Sequence, residues 1–296
     1  MCRRNTEEYI EEDNSFLIRK HDQMFSNDKL VYLQLHKTGC THITALLKKH
    51  VDGSLNNKHS RYNQAKDDRL FIGSVRNPWA WYVSLWAYGC KGLGNIFNAV
   101  SRTRWQHLTR RAPISDGGWK SYYWRLLRAA QSGGRAGAWR SCYADANDPA
   151  LFRKWLGLMY SHHGRRDLTE GFPYSTISQF AGILTYRYCD LYFAWDDWRE
   201  QRHKVATLEE LEALDARSCL IDYMIRTESL ESDLLAALKL AGYRLDPETE
   251  QDIRGATKSN TSSHRPYSEY YDDRSRHLVA QHEALIIAKH DYRFST

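Results

Sequence analysis

The chain has 296 residues, 42% of them hydrophobic and 26% charged, enough to bury the core of one large α/β domain or of two small ones. No stretch approaches the ~20 apolar residues of a membrane span. A formal charge of +6 would suit an anionic partner, but Lys and Arg are interleaved with Asp and Glu rather than gathered into a block, which argues against a nucleic-acid footprint.

Residues 1–29 read as a polar arm, charged throughout and without the apolar segment of a secretory signal, so a cytoplasmic protein is expected. The apolar run LVYLQL at 30–35 predicts a buried strand that ends in the turn His36, Lys37, Thr38, Gly39. Ile43, Leu46 and Leu47 then fall on one face of a helix over 41–49. A second strand, LFIGSV at 70–75, leads to Asn77 and Pro78, an N-cap followed by a proline at the first helical position. Trp79, Tyr82, Val83 and Trp86 form a stripe along that helix and are expected in the core. Between about 89 and 176 the periodicity dissolves, and this segment reads as a variable helical and aromatic insertion. Later elements are a strand over 219–226, an amphipathic helix over 230–240 closed by Gly242, and a final helix over 272–289. Strands alternating with helices predict a mainly parallel sheet with helices on both faces, residues 30–296 forming one α/β domain.

Cys2, Cys40, Cys90, Cys142, Cys189 and Cys219 show no CxxC or Cys/His clustering, so reduced thiols and no structural zinc are expected. In folds of this class ligands bind where strand C-termini meet helix N-termini, which is where Gly39 and Arg76 fall. The first helix offers its opening N–H groups and the positive end of its dipole, and Lys37 adds a full charge, making an anion cradle. Lys37 precedes Gly39, whereas a Walker A lysine follows its last glycine, so the loop is not that motif. Arg76 and Ser84, eight residues apart, can address one anion together as a guanidinium and a hydroxyl. No acidic residue is placed to hold Mg²⁺ as ATP chemistry requires, and no metal is expected.

LHKTGCTHI, at 35–43, resembles the 5′-phosphosulfate loop of sulfotransferases, and SVRNPWAWYVSLW, at 74–86, resembles their 3′-phosphate segment. DYMIRTESLESDLLAAL, SNTSSHRPYSEYY and LIIAKHDYRF are similar to later passages of the same family, so the resemblance covers most of the chain except its middle. The tyrosine-proline-lysine opening of the cytosolic small-molecule members is absent, which points to the carbohydrate-type branch. The resemblance implies a P-loop-like sulfotransferase fold. It further implies transfer of a sulfuryl group from 3′-phosphoadenosine 5′-phosphosulfate to a hydroxyl of a carbohydrate or other small acceptor.

On that resemblance Lys37, Thr38, Gly39, Cys40, Thr41 and His42 would hold the 5′-phosphosulfate, with Lys37 also catalytic, and Arg76 and Ser84 would hold the 3′-phosphate. In-line transfer needs a base near the cradle. His59 is chosen, with His36, His42 and Glu228 as alternatives. Trp105, Trp119, Tyr122, Tyr123, Trp124 and Trp139 would either line an acceptor site or pack a helical cap. The competing classes are a nucleotide-dependent kinase and a non-catalytic nucleotide-binding protein.

Overall fold

Residues 30–32 and 70–75 pair as neighbouring parallel strands in the computed structural model, which describes residues 23–57, 61–101, 135–168, 171–257 and 264–295. Among them the first half of the chain runs β1 (Gln23–Ser26), β2 (Leu30–Tyr32), α1 (Cys40–His50), β3 (Ser54–Asn57), β4 (Leu70–Val75), α2 (Pro78–Cys90), α3 (Asn95–Ser101), α4 (Arg135–Ser141) and α5 (Pro149–Tyr160). The second half runs α6 (Ile183–Tyr192), α7 (Trp195–Gln201), α8 (Leu208–Ser218), β5 (Tyr223–Arg226), α9 (Leu230–Leu240), α10 (Pro247–Gly255), α11 (Asp273–His282) and α12 (Ala284–Lys289). No described helix is long and apolar enough to cross a membrane.

The five strands lie in the order β3-β1-β2-β4-β5. β2, β4 and β5 are parallel, while β1 runs antiparallel to both β2 and β3. The protein is therefore α/β with a mixed sheet, a correction to the mainly parallel sheet expected from the strand and helix alternation. The cause is local. Asn27 Oδ1 accepts from Lys29 N at 3.0 Å and Leu30 N at 2.9 Å, and this tight turn reverses the chain between β1 and β2. β1 thus comes from the segment read as a polar arm, where Phe25 is buried in the core.

Alternation along the strands sorts their side chains onto two faces. Leu30, Tyr32, Ile72 and Ile225 pack with Ile43, Leu46 and Leu47 of α1, Leu234, Leu235 and Leu238 of α9, and Ile253 of α10. Val31, Phe71 and Val75 join the larger aromatic layer built by α2, α5, α6 and their neighbours. The stripe on α2 is core as read: Trp79, Tyr82, Val83 and Trp86 are each at most 4% exposed, and Trp81 is fully buried as well. Trp139 is also buried, its Nε1 donating to Asp167 Oδ2 at 3.0 Å, which fits the packing alternative for that residue. The other five aromatics named with it lie outside the described residues.

Two predicted elements are interrupted. Residues 219–222 precede β5 as an irregular segment with one bridge, Phe193 to Cys219. The helix over 272–289 breaks at Glu283, because that buried side chain turns to cap the start of α6, accepting from Thr185 N at 2.8 Å and Thr185 Oγ1 at 2.6 Å. Tyr82 of α2 also donates to Glu283, at 2.5 Å, and burial raises this carboxyl to about 7.

Candidate functional site

The C-terminal ends of β2 and β4 lie side by side, each followed by a short connection into a helix. After β2, Leu33 N still donates to Ile72 O at 2.9 Å before the chain leaves the sheet. The turn that follows places Lys37 at φ 65 and Gly39 at φ 77. A lysine with positive φ stores strain of about 1 to 3 kcal/mol, sustained only where surrounding contacts fix the backbone.

Here those contacts are plain. Trp81 Nε1 of α2 donates to His36 O at 2.7 Å. Thr38 Oγ1 donates to Leu35 O at 2.7 Å, so Ser74 Oγ, 2.6 Å from Thr38 Oγ1, must donate to it, and Tyr32 OH donates to Ser74 Oγ at 2.9 Å. This buried chain of hydroxyls ties loop, β2 and β4 together. Gly39 is required twice, by its φ and because a β-carbon there would sit 2.6 Å from Leu230 Cδ1 at the start of α9.

α1 begins at Gly39 with no side chain capping it and no acidic residue in its first turn, while Lys48, Lys49 and His50 occupy its last. α1 itself supplies no carboxylate at the positive end of its dipole; the acid near that end is Glu231 of α9, beside His42. Along this turn the side chains divide. Thr38 is spent on the hydroxyl chain, Cys40 is buried and Thr41 is exposed. His42 is buried and turned toward α9, its Nε2 lying 3.2 Å from Glu231 Oε1 without the alignment of a hydrogen bond. Lys37 Nζ lies over the ring of Tyr88, 3.9 Å from its centroid, on the last turns of α2.

The second connection is built differently. The Asn77 side chain accepts from Trp79 N at 3.1 Å and Ala80 N at 3.3 Å, and Pro78 follows at N1, so the start of α2 is closed. Glu228 Oε1, from the turn after β5, accepts from Asn77 N at 2.8 Å, and its Oε2 accepts from Tyr292 OH at 3.2 Å. Arg76 stands just before this cap. Among the described residues its guanidinium makes no hydrogen bond or ion pair, and burial lowers its pKa from the ordinary value, opposed by the nearby Glu228 charge. Ser84 is 4% exposed, and its hydroxyl has no hydrogen-bond partner among the described residues.

α2 is the spine on which these pieces meet. Ser84 and Tyr88 are four residues apart and share one side of it, and Tyr88 carries the Lys37 ammonium. Tyr270 packs edge-on against Trp86 at 5.7 Å and brings the segment starting at His264 onto the same helix. The pKa of His264 is lowered by its burial and by the positive charges of Arg76, Lys37 and Lys91, despite a bond to the Arg265 carbonyl. His264 was not singled out from the sequence, although its segment was, as one of the passages resembling sulfotransferases. His59 lies outside the described residues. Among these, no group of three or more His, Cys, Asp or Glu is gathered as a metal site, and the five cysteines are free.

No family model, curated protein or solved structure matches the chain. What the structure shows is Lys37 and Arg76 at the C-terminal edge of neighbouring parallel strands.

Proposed function

We propose that the chain is a sulfotransferase of the carbohydrate type, moving a sulfuryl group from 3′-phosphoadenosine 5′-phosphosulfate to a hydroxyl of a carbohydrate or other small acceptor. The observation that carries this reading is that Lys37 and Arg76 follow the C-terminal ends of β2 and β4, which pair as neighbouring parallel strands. A ligand with two phosphate-like groups suits a cradle of backbone N–H groups beside a desolvated guanidinium that has no anionic hydrogen-bond partner.

The residues present fit such a donor, which supplies the activated sulfuryl group when bound. Backbone N–H groups of 38–42 would hold its 5′ end, and Lys37 would stabilise negative charge developing on the bridging oxygen. Arg76 and Ser84 would hold the 3′-phosphate. Glu228 is committed to Asn77 N and Tyr292 OH, so this reading leaves the role of base with His59.

Calorimetry with 3′-phosphoadenosine 5′-phosphate and with ATP, each with and without Mg²⁺, tests the donor. Binding of the former without metal is expected. Preference for ATP with Mg²⁺ would replace this reading with a kinase. Donor binding with no transfer to any of a panel of hydroxylated glycans and metabolites would leave a non-catalytic nucleotide-binding protein.

A further inference from the structure

Arg76 has no side-chain tether: among the described residues its guanidinium makes no hydrogen bond or ion pair. The direction of such a side chain is set by its backbone, and so by whatever holds the peptide groups on either side of it. Both are held by the turn after β5. Thr227 Oγ1 donates to Val75 O at 2.9 Å, and Glu228 Oε1 accepts from Asn77 N at 2.8 Å. Two consecutive residues thus clamp the two peptides that flank Arg76, at the point where Val75 of β4 lies opposite Arg226 of β5.

That clamp is backed by a segment far along the chain. Glu228 Oε2 accepts from Tyr292 OH at 3.2 Å. Asn77 Nδ2 donates to Arg293 O at 3.0 Å, while its Oδ1 caps α2. The links close a ring that runs from Asn77 N through Glu228, Tyr292 and Arg293 O and returns to Asn77 by its side-chain amide. Phe294 pins the segment, its ring lying edge-on to Trp79 of α2 at 5.6 Å, to Tyr267 at 5.5 Å and to Tyr271 at 5.6 Å.

Glu228 makes no ion pair with Arg76 among the described residues; one of its oxygens serves a backbone amide and the other a tyrosine hydroxyl. Its hydrogen bonds therefore support the backbone of the turn and do not satisfy the guanidinium. A guanidinium whose place is fixed before an anion arrives lowers the ordering cost of binding.

We propose that Glu228 and Tyr292 are positioning residues for Arg76, the segment 292–294 acting as a strap that holds the turn between β4 and α2 in its anion-binding form. The inference rests on the sulfotransferase reading for the identity of the ligand, a nucleotide with a 3′-phosphate, and on the hydrogen-bonded ring for the strap itself.

Calorimetry with 3′-phosphoadenosine 5′-phosphate and with adenosine 5′-phosphate isolates the phosphate that Arg76 would meet. Glu228→Ala is expected to raise the Kd of the first about tenfold and to leave that of the second nearly unchanged. Tyr292→Phe, which removes one hydroxyl, should act in the same direction by a smaller factor. Glu228→Gln keeps an oxygen for Asn77 N and an N–H for the Tyr292 oxygen, so it should bind like the wild type. Equal weakening toward both nucleotides would mark a general loss of structure. A Glu228→Gln variant as weak as Glu228→Ala, or tighter than the wild type, would mark the carboxylate charge as what matters. Each of these results overturns the inference.

Hydrogen exchange at the Asn77 amide of the full chain tests the ring without any ligand. It should be slow in the wild type and several-fold faster in Tyr292→Phe, and an unchanged rate would overturn the strap even if Glu228→Ala misfolds. Should the wild type fail to prefer the 3′-phosphorylated nucleotide while exchange at Asn77 shifts as expected, the donor reading falls and the strapped turn stands.

Discussion

The turn after β2 and the turn after β4 occupy equivalent places in the sheet yet open their helices in opposite ways, which on the proposed function means two different grips on an anion. At the first, α1 opens on Gly39 with no side-chain cap, and the strained lysine beside it is held by Trp81 and by the Tyr32, Ser74 and Thr38 hydroxyls. At the second, Asn77 consumes two N–H groups at the start of α2, so any anion there must be gripped by side chains, Arg76 and Ser84. A backbone cradle fixes the ligand's position through the fold itself. A side-chain grip depends on how far its charged group has been desolvated.

The comparison can be broken most directly at Lys37. Lys37→Ala is expected to reduce kcat by about 100- to 1,000-fold while changing the Kd of 3′-phosphoadenosine 5′-phosphate far less. Equal losses in the two would mean that Lys37 only binds. At the other turn the balance should invert: Arg76→Ala should weaken nucleotide binding by about 3 kcal/mol, roughly a hundredfold. Its thermal midpoint should hold or rise, since a desolvated guanidinium without a hydrogen-bonded partner costs stability. A clear fall in the midpoint would mark Arg76 as structural.

The two helix starts give the next contrast. Gly39→Ala should destabilise by about 2 kcal/mol, through its positive φ and the Leu230 contact, and should weaken anion binding as well. Asn77→Ala should cost about 1 kcal/mol of stability with little direct effect on the cradle. Chemical denaturation and calorimetry on both variants would show whether the asymmetry is real. The smallest effect is expected at Ser84, where alanine should remove about 1 kcal/mol of nucleotide affinity, read as a several-fold rise in Kd with kcat unchanged.

Much of this site was legible in the chain because its elements announce themselves locally. Apolar β-rich runs before Gly39 and before Asn77-Pro78 carry the strand, turn and helix pattern in a few residues each, and α9 closes at the glycine that the pattern indicated. β1 was not legible, since Met24 and Phe25 are its only strongly apolar residues and Gln23 and Ser26 flank them. The break at Glu283 was hidden for a related reason: helical periodicity continues across it, and only the distant N-terminus of α6 makes the interruption favourable.

In the turn after β2, residue type indicated the backbone's shape better than the side chains' directions. Lys37 and Gly39 stand at the turn, but Thr38 faces the buried hydroxyl chain and His42 faces Glu231. By itself the sequence determined which segments become strands and helices around Gly39 and Asn77-Pro78, because hydrophobic period, capping and glycine placement act over a few neighbouring residues. Only the tertiary structure decided the antiparallel edge of the sheet, the desolvation of Arg76 and the capping of α6 by Glu283. Those depend on which remote segments meet and exclude water, and residues 98 positions apart along the chain, such as Thr185 and Glu283, share no local signal.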